Sequence, residues 1–260
     1  MATWNLNGNS RPSSTRALGH LSGTLGVDVG LVQEAHPGNT SGWHGLPPVA
    51  VHKTKNWGTA IASPSLPLRH LTEVKGRFNP KPMSITGPYP GAVVAGLSEI
   101  DGLGDVVFVS IYARVDNGYS FMHIHSIINT LIPLLDSKLG KNVVVGGDVN
   151  NCTQLAASDG LLARLQNLFD RFADSGLYDL WDHGFEDRGP LDKCPCGPRP
   201  DCRHVRTQRH NNKPDSKPWQ TDYLWATALL RDRLIGCHVE DNESSWGLSG
   251  HCPVVVDLRI

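Results

Sequence analysis

Short β-branched apolar runs alternate along the chain with segments whose apolar positions recur every three or four residues. Residues 27–35 (VDVGLVQEA) read as a buried strand ending near the acid Glu34. Three runs bounded by Gly and Pro, at 59–63 (TAIAS), 91–97 (GAVVAGL) and 105–113 (DVVFVSIYA), predict neighbouring strands. Residues 143–148 (VVVGGD) predict another. TDYLWA (221–226), IGCHVE (235–240) and CPVVVDL (252–258) close the chain as strands. Helices are predicted over 13–25, with leucines at 18, 21 and 25 behind a Ser-rich start, and around 160–174. A third, over 120–140, places Ile124, Ile127, Ile128, Leu131, Leu134 and Leu135 on one side, with Gly140 as its stop.

This pattern leaves polar and ionisable residues where strands end: Asn5, Glu34, Tyr112, Asp148, Asn150, Asp222 and His251. Strand ends hold side chains rigidly while the adjoining loops leave room for a substrate, so the placement points to chemistry. Each residue also has a plain structural reading. A single Glu at a strand end is usually surface decoration, and Asp-x-Asn after two glycines is often a turn. Trp4 and Trp225 read as core, and His123 and His125 as structural or exposed.

Composition bounds the answer. With 260 residues, 39% hydrophobic, the chain can bury one large core, and a single domain over 1–260 is expected. A polar Cys/His- and Arg-rich insertion is expected at about 182–220. No run of about 18 or more apolar residues occurs, and the opening MATWNLNGNSRP lacks the order of a signal peptide. The expectation is therefore a soluble, cytoplasmic protein with no membrane partner. A net charge of -1 gives no global attraction for a polyanion. The balance is local, however: between 193 and 217 lie Lys193, Arg199, Arg203, Arg206, Arg209, Lys213 and Lys217 against only Asp201 and Asp215. That stretch is either a phosphate-contacting patch or a solvated loop.

Six cysteines are too few for a disulfide scaffold in a chain this long. Three of them crowd one loop, where Cys194, Cys196, Cys202 and His204, with His210 in reserve, offer four N/S ligands suited to a closed tetrahedral Zn²⁺ site. Reduced thiols or a single disulfide are the alternatives. A bound zinc would stiffen a basic flap whose Arg203, Arg206 and Arg209 could grip a nucleic-acid backbone, with Trp219 available for stacking.

Thr3-Trp4-Asn5-Leu6-Asn7-Gly8, Leu31-Val32-Gln33-Glu34, Tyr112 at a strand end, Gly147-Asp148-Val149-Asn150, and Thr221-Asp222-Tyr223 with Ser249-Gly250-His251 fall in the order seen in one superfamily. Through them the sequence resembles the endonuclease/exonuclease/phosphatase superfamily, the fold of deoxyribonuclease I and exonuclease III-type enzymes. The resemblance implies a four-layer α/β sandwich, two packed mixed sheets flanked by helices. It further implies a Mg²⁺- or Mn²⁺-dependent phosphodiesterase. Glu34, with Asn5 beside it, would hold the metal. Asp148 would orient or deprotonate the attacking water, and Asn150 would donate to a phosphate oxygen. His251, held by Asp222, would bind the phosphate or move protons, Tyr112 would add a phenolic donor, and Arg114 could supply positive charge.

DNA is the favoured substrate, on the strength of the basic loop. A phosphatase or phosphodiesterase acting on small, lipid or inositol phosphates is the alternative, as is an impaired nucleic-acid-binding module. The last alternative arises from one departure. Family members usually read Ser-Asp-His where this chain has Ser249-Gly250-His251, which removes a negative charge and a ligand or water anchor.

Overall fold

In the computed structural model, which describes residues 1–8, 11–36, 45–50, 57–77, 79, 81–116, 120–156, 158–184, 190–197 and 201–259, the β-branched runs pair into two six-stranded mixed sheets. Along the chain their strands are β1 (Ala2–Asn5), β2 (Gly30–Ala35), β3 (Leu46–Ala50), β4 (Gly58–Ala62), β5 (Arg69–Leu71), β6 (Val93–Ile100), β7 (Gly104–Tyr112), β8 (Val143–Asp148), β9 (Leu177–Asp179), β10 (Asp222–Thr227), β11 (Leu234–Val239) and β12 (Val254–Leu258). The first sheet has the order β11-β12-β1-β2-β4-β3 and the second β9-β10-β8-β7-β6-β5. Each sheet contains one parallel pair, β1 with β2 and β7 with β8; its other neighbours are antiparallel.

Alternation along the strands builds the layers. In β7, Val106 and Phe108 face the opposite sheet, while Val107, Val109 and Ile111 face outward. In β8, Val144 faces in and Val143 and Val145 face out. The outward face of the second sheet is covered by α2 (Phe121–Leu135) and α3 (Asp159–Asp174). That of the first is covered by α1 (Arg11–Gly19) and the π turn His20–Thr24, through Leu18 and Leu21 packed with Trp4. The expected four-layer α/β sandwich is the fold observed.

On α2, Ile124, Ile127, Ile128, Leu131 and Leu134 are buried. At about 2 kcal/mol each, these side chains outweigh the roughly 3 kcal/mol that Pro133 costs inside a helix. The helix nevertheless ends at Leu135, earlier than expected. Ser137 accepts the Leu139 N–H and starts a separate 3₁₀ turn, Lys138–Lys141, into which Gly140 falls.

Two glycines let the sheets meet where the site lies. A Cβ on Gly147 would fall 1.8 Å from the Ile111 carbonyl oxygen of β7, and one on Gly146 would fall 2.5 Å from Leu224 and 2.8 Å from Leu31 in the opposite sheet. Only glycine at both positions permits β8 to lie this close to its neighbours just before Asp148. Strands β3, β5 and β9 were not legible as strands, being short or weakly alternating. The polar stretch 182–220 holds a small hairpin, Gln208–Arg209 with Pro218–Trp219; Arg199 lies outside the described residues. Among the described residues no helix is long and apolar enough to cross a membrane.

Candidate active site

Register alone places three of the expected residues in one row. Asp148, the last residue of β8, pairs across the sheet with Tyr112 on β7 and with Asp222 on β10. From the facing sheet, parallel pairing sets Asn5 at the end of β1 opposite Gln33, so Glu34 follows at the same edge. The pairing of β2 with β4 slips between Val32 and Ala35. Glu34 sits in that bulge with φ 53°, a left-handed conformation costly for a side-chain-bearing residue. The bulge re-aims the Glu34 carboxylate into the cleft.

The side chains then connect. Tyr112 Oη donates to Glu34 Oε1 at 2.9 Å. Asn5 Nδ2 donates both to Glu34 Oε1 (3.2 Å) and to Asp148 Oδ2 (2.7 Å), bridging the sheets. Asn150, also left-handed at φ 49°, donates its backbone N–H to Asp148 Oδ1 (2.8 Å) and its side-chain amide to Asp148 Oδ2 (3.0 Å). Beside this chain, His251 Nδ1 lies 2.8 Å from Asp222 Oδ2 in a fully buried ion pair. Ligand atoms of Asp148, Asp222 and His251 all lie within 4.8 Å of one another.

His251 is held by its own backbone. Trp4 Nε1 donates to its carbonyl at 2.8 Å, and Ser249 Oγ donates to the Asn5 carbonyl (2.7 Å) while accepting the His251 N–H (3.1 Å). Asp222 is held by Thr207, whose Oγ1 accepts the backbone N–H groups of both Thr221 and Asp222.

Electrostatics separates the roles. Burial lowers His251, but the charge and hydrogen bond of Asp222, with Asp148 and Glu34 beyond, outweigh it and raise its pKa to about 9. The Asp222 carboxylate thus favours the imidazolium form of His251. Burial, reinforced by the charge of Asp222, raises the Asp148 carboxyl well above the usual carboxylate range, against the opposing effect of His251 and the donors Asn150 and Asn5. That is the direction expected of a group that takes up a proton. Burial and the Glu34 charge push the Tyr112 phenol upward, so it stays protonated and donating.

The geometry reassigns several expected contacts. Asn5 turns its N–H groups toward the acids, and its oxygen accepts the Asn7 backbone N–H at 2.7 Å, so in this arrangement it orients Glu34 and Asp148. The Tyr112 hydroxyl is directed to Glu34, and the Asn150 amide to Asp148 and the Ala113 carbonyl. Arg114 lies over the Tyr89 ring and pairs with Asp116 at 3.0 Å. Arg206 pairs with Asp241, and Arg209 is buried against Trp246 and pairs with Glu243. Arg206 and Arg209 are partnered within the protein because acids from 241–243 fold back onto them. Arg203 is exposed, and Trp219 is half-buried. The structure brings Cys194, Cys196, Cys202 and His204 together; His210 is exposed and outside the group.

Five residues of the neighbourhood carried no role in the sequence reading. Thr207 anchors Asp222, and Gln33 ties β2 to Ser110 of β7 beneath the site. Trp57 packs edge-on to Tyr112 with ring centroids 5.7 Å apart. A Cβ on Gly8 (φ 55°) would fall 2.8 Å from Trp57 Nε1 and 3.1 Å from Glu34 Oε2, which explains the glycine of the first motif. Asn7 Nδ2 stands 3.0 Å from where a Cβ on Gly250 would lie. Asn7, Gly8 and Gln33 had a signal, as parts of the motifs that hold Asn5 and Glu34; Thr207 and Trp57 had none.

Comparison with known proteins places this arrangement. Residues 2–244 match the model of the Endonuclease/Exonuclease/phosphatase family, a match that stops short of His251. No curated protein matches the sequence significantly. Among solved structures, the endonuclease domain of TRAS1, a telomere-specific non-LTR retrotransposon, is similar over 100% of this chain and 97% of its own, at 18% identity and a TM-score of 0.65. An AP endonuclease from Archaeoglobus fulgidus matches over 100% of both chains at 16% identity and a TM-score of 0.62. The 3' phosphatase NExo from Neisseria, bound to product DNA hairpin, covers 100% of this chain and 98% of its own at 15% identity and a TM-score of 0.66. At these identities the solved structures establish the fold, while the family match extends over most of the sequence; the chain belongs to the endonuclease/exonuclease/phosphatase family.

Proposed function

We propose that the protein is a Mg²⁺- or Mn²⁺-dependent phosphodiester hydrolase acting on DNA. The observation that carries this reading is the single hydrogen-bonded chain Tyr112–Glu34–Asn5–Asp148–Asn150, set beside the buried His251–Asp222 pair.

The donor chemistry fits such a metal. The cleft presents carboxylate oxygens and no thiolate, and hard divalent cations take oxygen ligands. Glu34 Oε1 accepts from Tyr112 and Asn5, which leaves Oε2 to face the cleft floor near Gly8. Asp222 Oδ1 is buried without a hydrogen-bond partner, a second oxygen unspent within the protein. With His251 cationic, Glu34 is the ligand of choice. The bound cation would neutralise negative charge building on the phosphoryl oxygens.

The chain's own residues supply the rest. Asp148, fixed at both oxygens by Asn150 and Asn5, accepts a proton from the attacking water. His251, with Nδ1 committed to Asp222, has Nε2–H to donate to a phosphate oxygen or the leaving oxygen. Asn5 couples the two halves, since one amide sets both the water-activating acid and the metal-holding acid.

DNA is favoured by the basic character of 193–217 and by the DNA hairpin recorded with the Neisseria phosphatase. A panel of single-stranded DNA, duplex DNA, abasic duplex, RNA and inositol phosphates, each with Mg²⁺ and with chelator, tests the proposal. Chelator-sensitive cleavage of a DNA substrate is expected. Hydrolysis confined to inositol phosphates would overturn it, as would tight DNA binding with no hydrolysis of any phosphate ester.

A further inference from the structure

We infer that Cys194, Cys196, Cys202 and His204 form a second metal site, a closed Zn²⁺ centre outside the catalytic cleft, whose role is to tie the inserted loop to the two segments that carry Asp148 and Asp222. The four ligand atoms, three Sγ and His204 Nδ1, lie within 4.8 Å of one another. His204 Nδ1 is 3.5 Å from both Cys194 Sγ and Cys202 Sγ, and Cys196 Sγ is 3.6 Å from Cys202 Sγ and 3.1 Å from Cys194 Sγ. Zinc–sulfur and zinc–nitrogen bonds of about 2.3 Å and about 2.0–2.1 Å, at tetrahedral angles, require edges of about 3.5 Å for S···N and about 3.8 Å for S···S. Two of the three S···N edges match; of the S···S edges, Cys196–Cys202 is close to the required length and Cys194–Cys196 is shorter than it, both far from the roughly 2.05 Å of a disulfide. All six cysteines of the chain are free thiols.

The surroundings are those of a ligand set. His204 Nε2 lies 2.8 Å from Thr153 Oγ1, which fixes the ring and leaves Nδ1 to face the sulfurs. Gln154 Nε2 points at Cys194 Sγ at 3.3 Å, a donor aimed at a thiolate. Four soft N/S ligands with no carboxylate select Zn²⁺ over Mg²⁺, and four protein ligands leave no open position for substrate. The centre is structural, and its cofactor differs from that of the cleft.

Its position gives it a purpose. Thr153 and Gln154 lie three and four residues after Asn150 in the chain. Gln154 also accepts the Gln220 N–H at 2.7 Å and donates to the Pro218 carbonyl, just before Asp222. Past His204 the chain runs to Thr207, which holds Asp222 and, through its carbonyl, the Cys252 N–H next to His251. One ion at 194–204 thus anchors the loop after β8, the lead-in to β10 and the strand beside His251.

The test uses the intact protein. Expressed in zinc-containing medium and dialysed against a weak chelator, it should retain about one zinc per chain by elemental analysis and native mass spectrometry. Cobalt exchange should give the intense visible bands of tetrahedral thiolate cobalt, and three cysteines should resist alkylation until the metal is stripped. His210→Ala should keep the metal and Cys202→Ser should lose it; if Cys202→Ser does not fold, the cobalt spectrum and thiol protection of the unmutated protein decide alone. A folded, metal-free protein with three reactive thiols or a Cys194–Cys196 disulfide overturns the inference. These readouts involve no substrate, so they stand apart from the hydrolase reading. Only the final consequence rests on that reading: loss of turnover on zinc removal that added Mg²⁺ does not restore.

Discussion

Single residues set the chemistry, and each makes a separable prediction. Glu34→Gln keeps the acceptor for Tyr112 and Asn5 while removing the charge that would hold the cation. Turnover should fall about 10²–10³-fold, with the Mg²⁺ concentration for half-maximal rate rising; unchanged kinetics would remove Glu34 from the metal. In the proposed mechanism His251 works as an imidazolium, the form favoured below about pH 9 and lost above it. The alkaline limb of the kcat/KM profile should therefore fall near pH 9. Asp222→Asn removes the charge that sustains the proton and should move that limb toward neutral pH; a limb that stays in place would separate it from His251. At Gly250, the Cβ of an aspartate would meet Asn7 Nδ2 at 3.0 Å, a group able to donate to the new carboxylate once it shifts by a few tenths of an ångström. Gly250→Asp should accordingly raise Mg²⁺ affinity, measured as a lower half-saturating concentration. An unaltered Mg²⁺ dependence would mean that a carboxylate at position 250 does not reach the metal site. These identities were legible in the sequence because acids and amides at strand ends are conspicuous. Their contacts were not: that Asn5 donates, that Tyr112 serves Glu34 and that Arg206 and Arg209 are already paired depends on partners dozens to hundreds of residues away.

Elements set the tolerances. Placing Asp148 in register with Tyr112 and Asp222 needs β8 to lie flush against β7, and the Ile111 carbonyl leaves no room for a side chain at Gly147. Gly147→Ala should cost about 3 kcal/mol, read as a fall in Tm of roughly 6–12 °C, with activity lost more steeply than stability as Asp148 leaves its row. An equally stable variant would contradict the close approach. The long strands and helices were plain from their periodicity. The bulge at Glu34 was not, because a register slip is a relation between two strands and leaves no mark on either sequence alone. The three-residue strands β5 and β9 are likewise held by neighbours rather than by any pattern of their own.

At the scale of the whole molecule, each of the two sheets contributes three residues to one cleft. The first brings Asn5, Glu34 and, beside β12, His251; the second brings Tyr112, Asp148 and Asp222. The sandwich itself followed from alternating strands and amphipathic helices. The grouping of Cys194, Cys196, Cys202 and His204 was legible from their crowding in one loop, whereas the attachment of that loop through Thr153 and Gln154 to the segment after Asp148 required the fold.

The first strand of the chain lies between β2 and the last strand, β12, and Trp4 closes on the carbonyl of His251. During synthesis, β1 must wait with one edge unpaired until more than two hundred residues have followed it. A chain released before residue 249 therefore carries every acid of the cleft but neither its cation nor the final strand that seats Asn5. On the proposed function, a variant truncated before residue 249 should therefore show no hydrolysis of nucleic acid, read as loss of cleavage beside the untruncated protein.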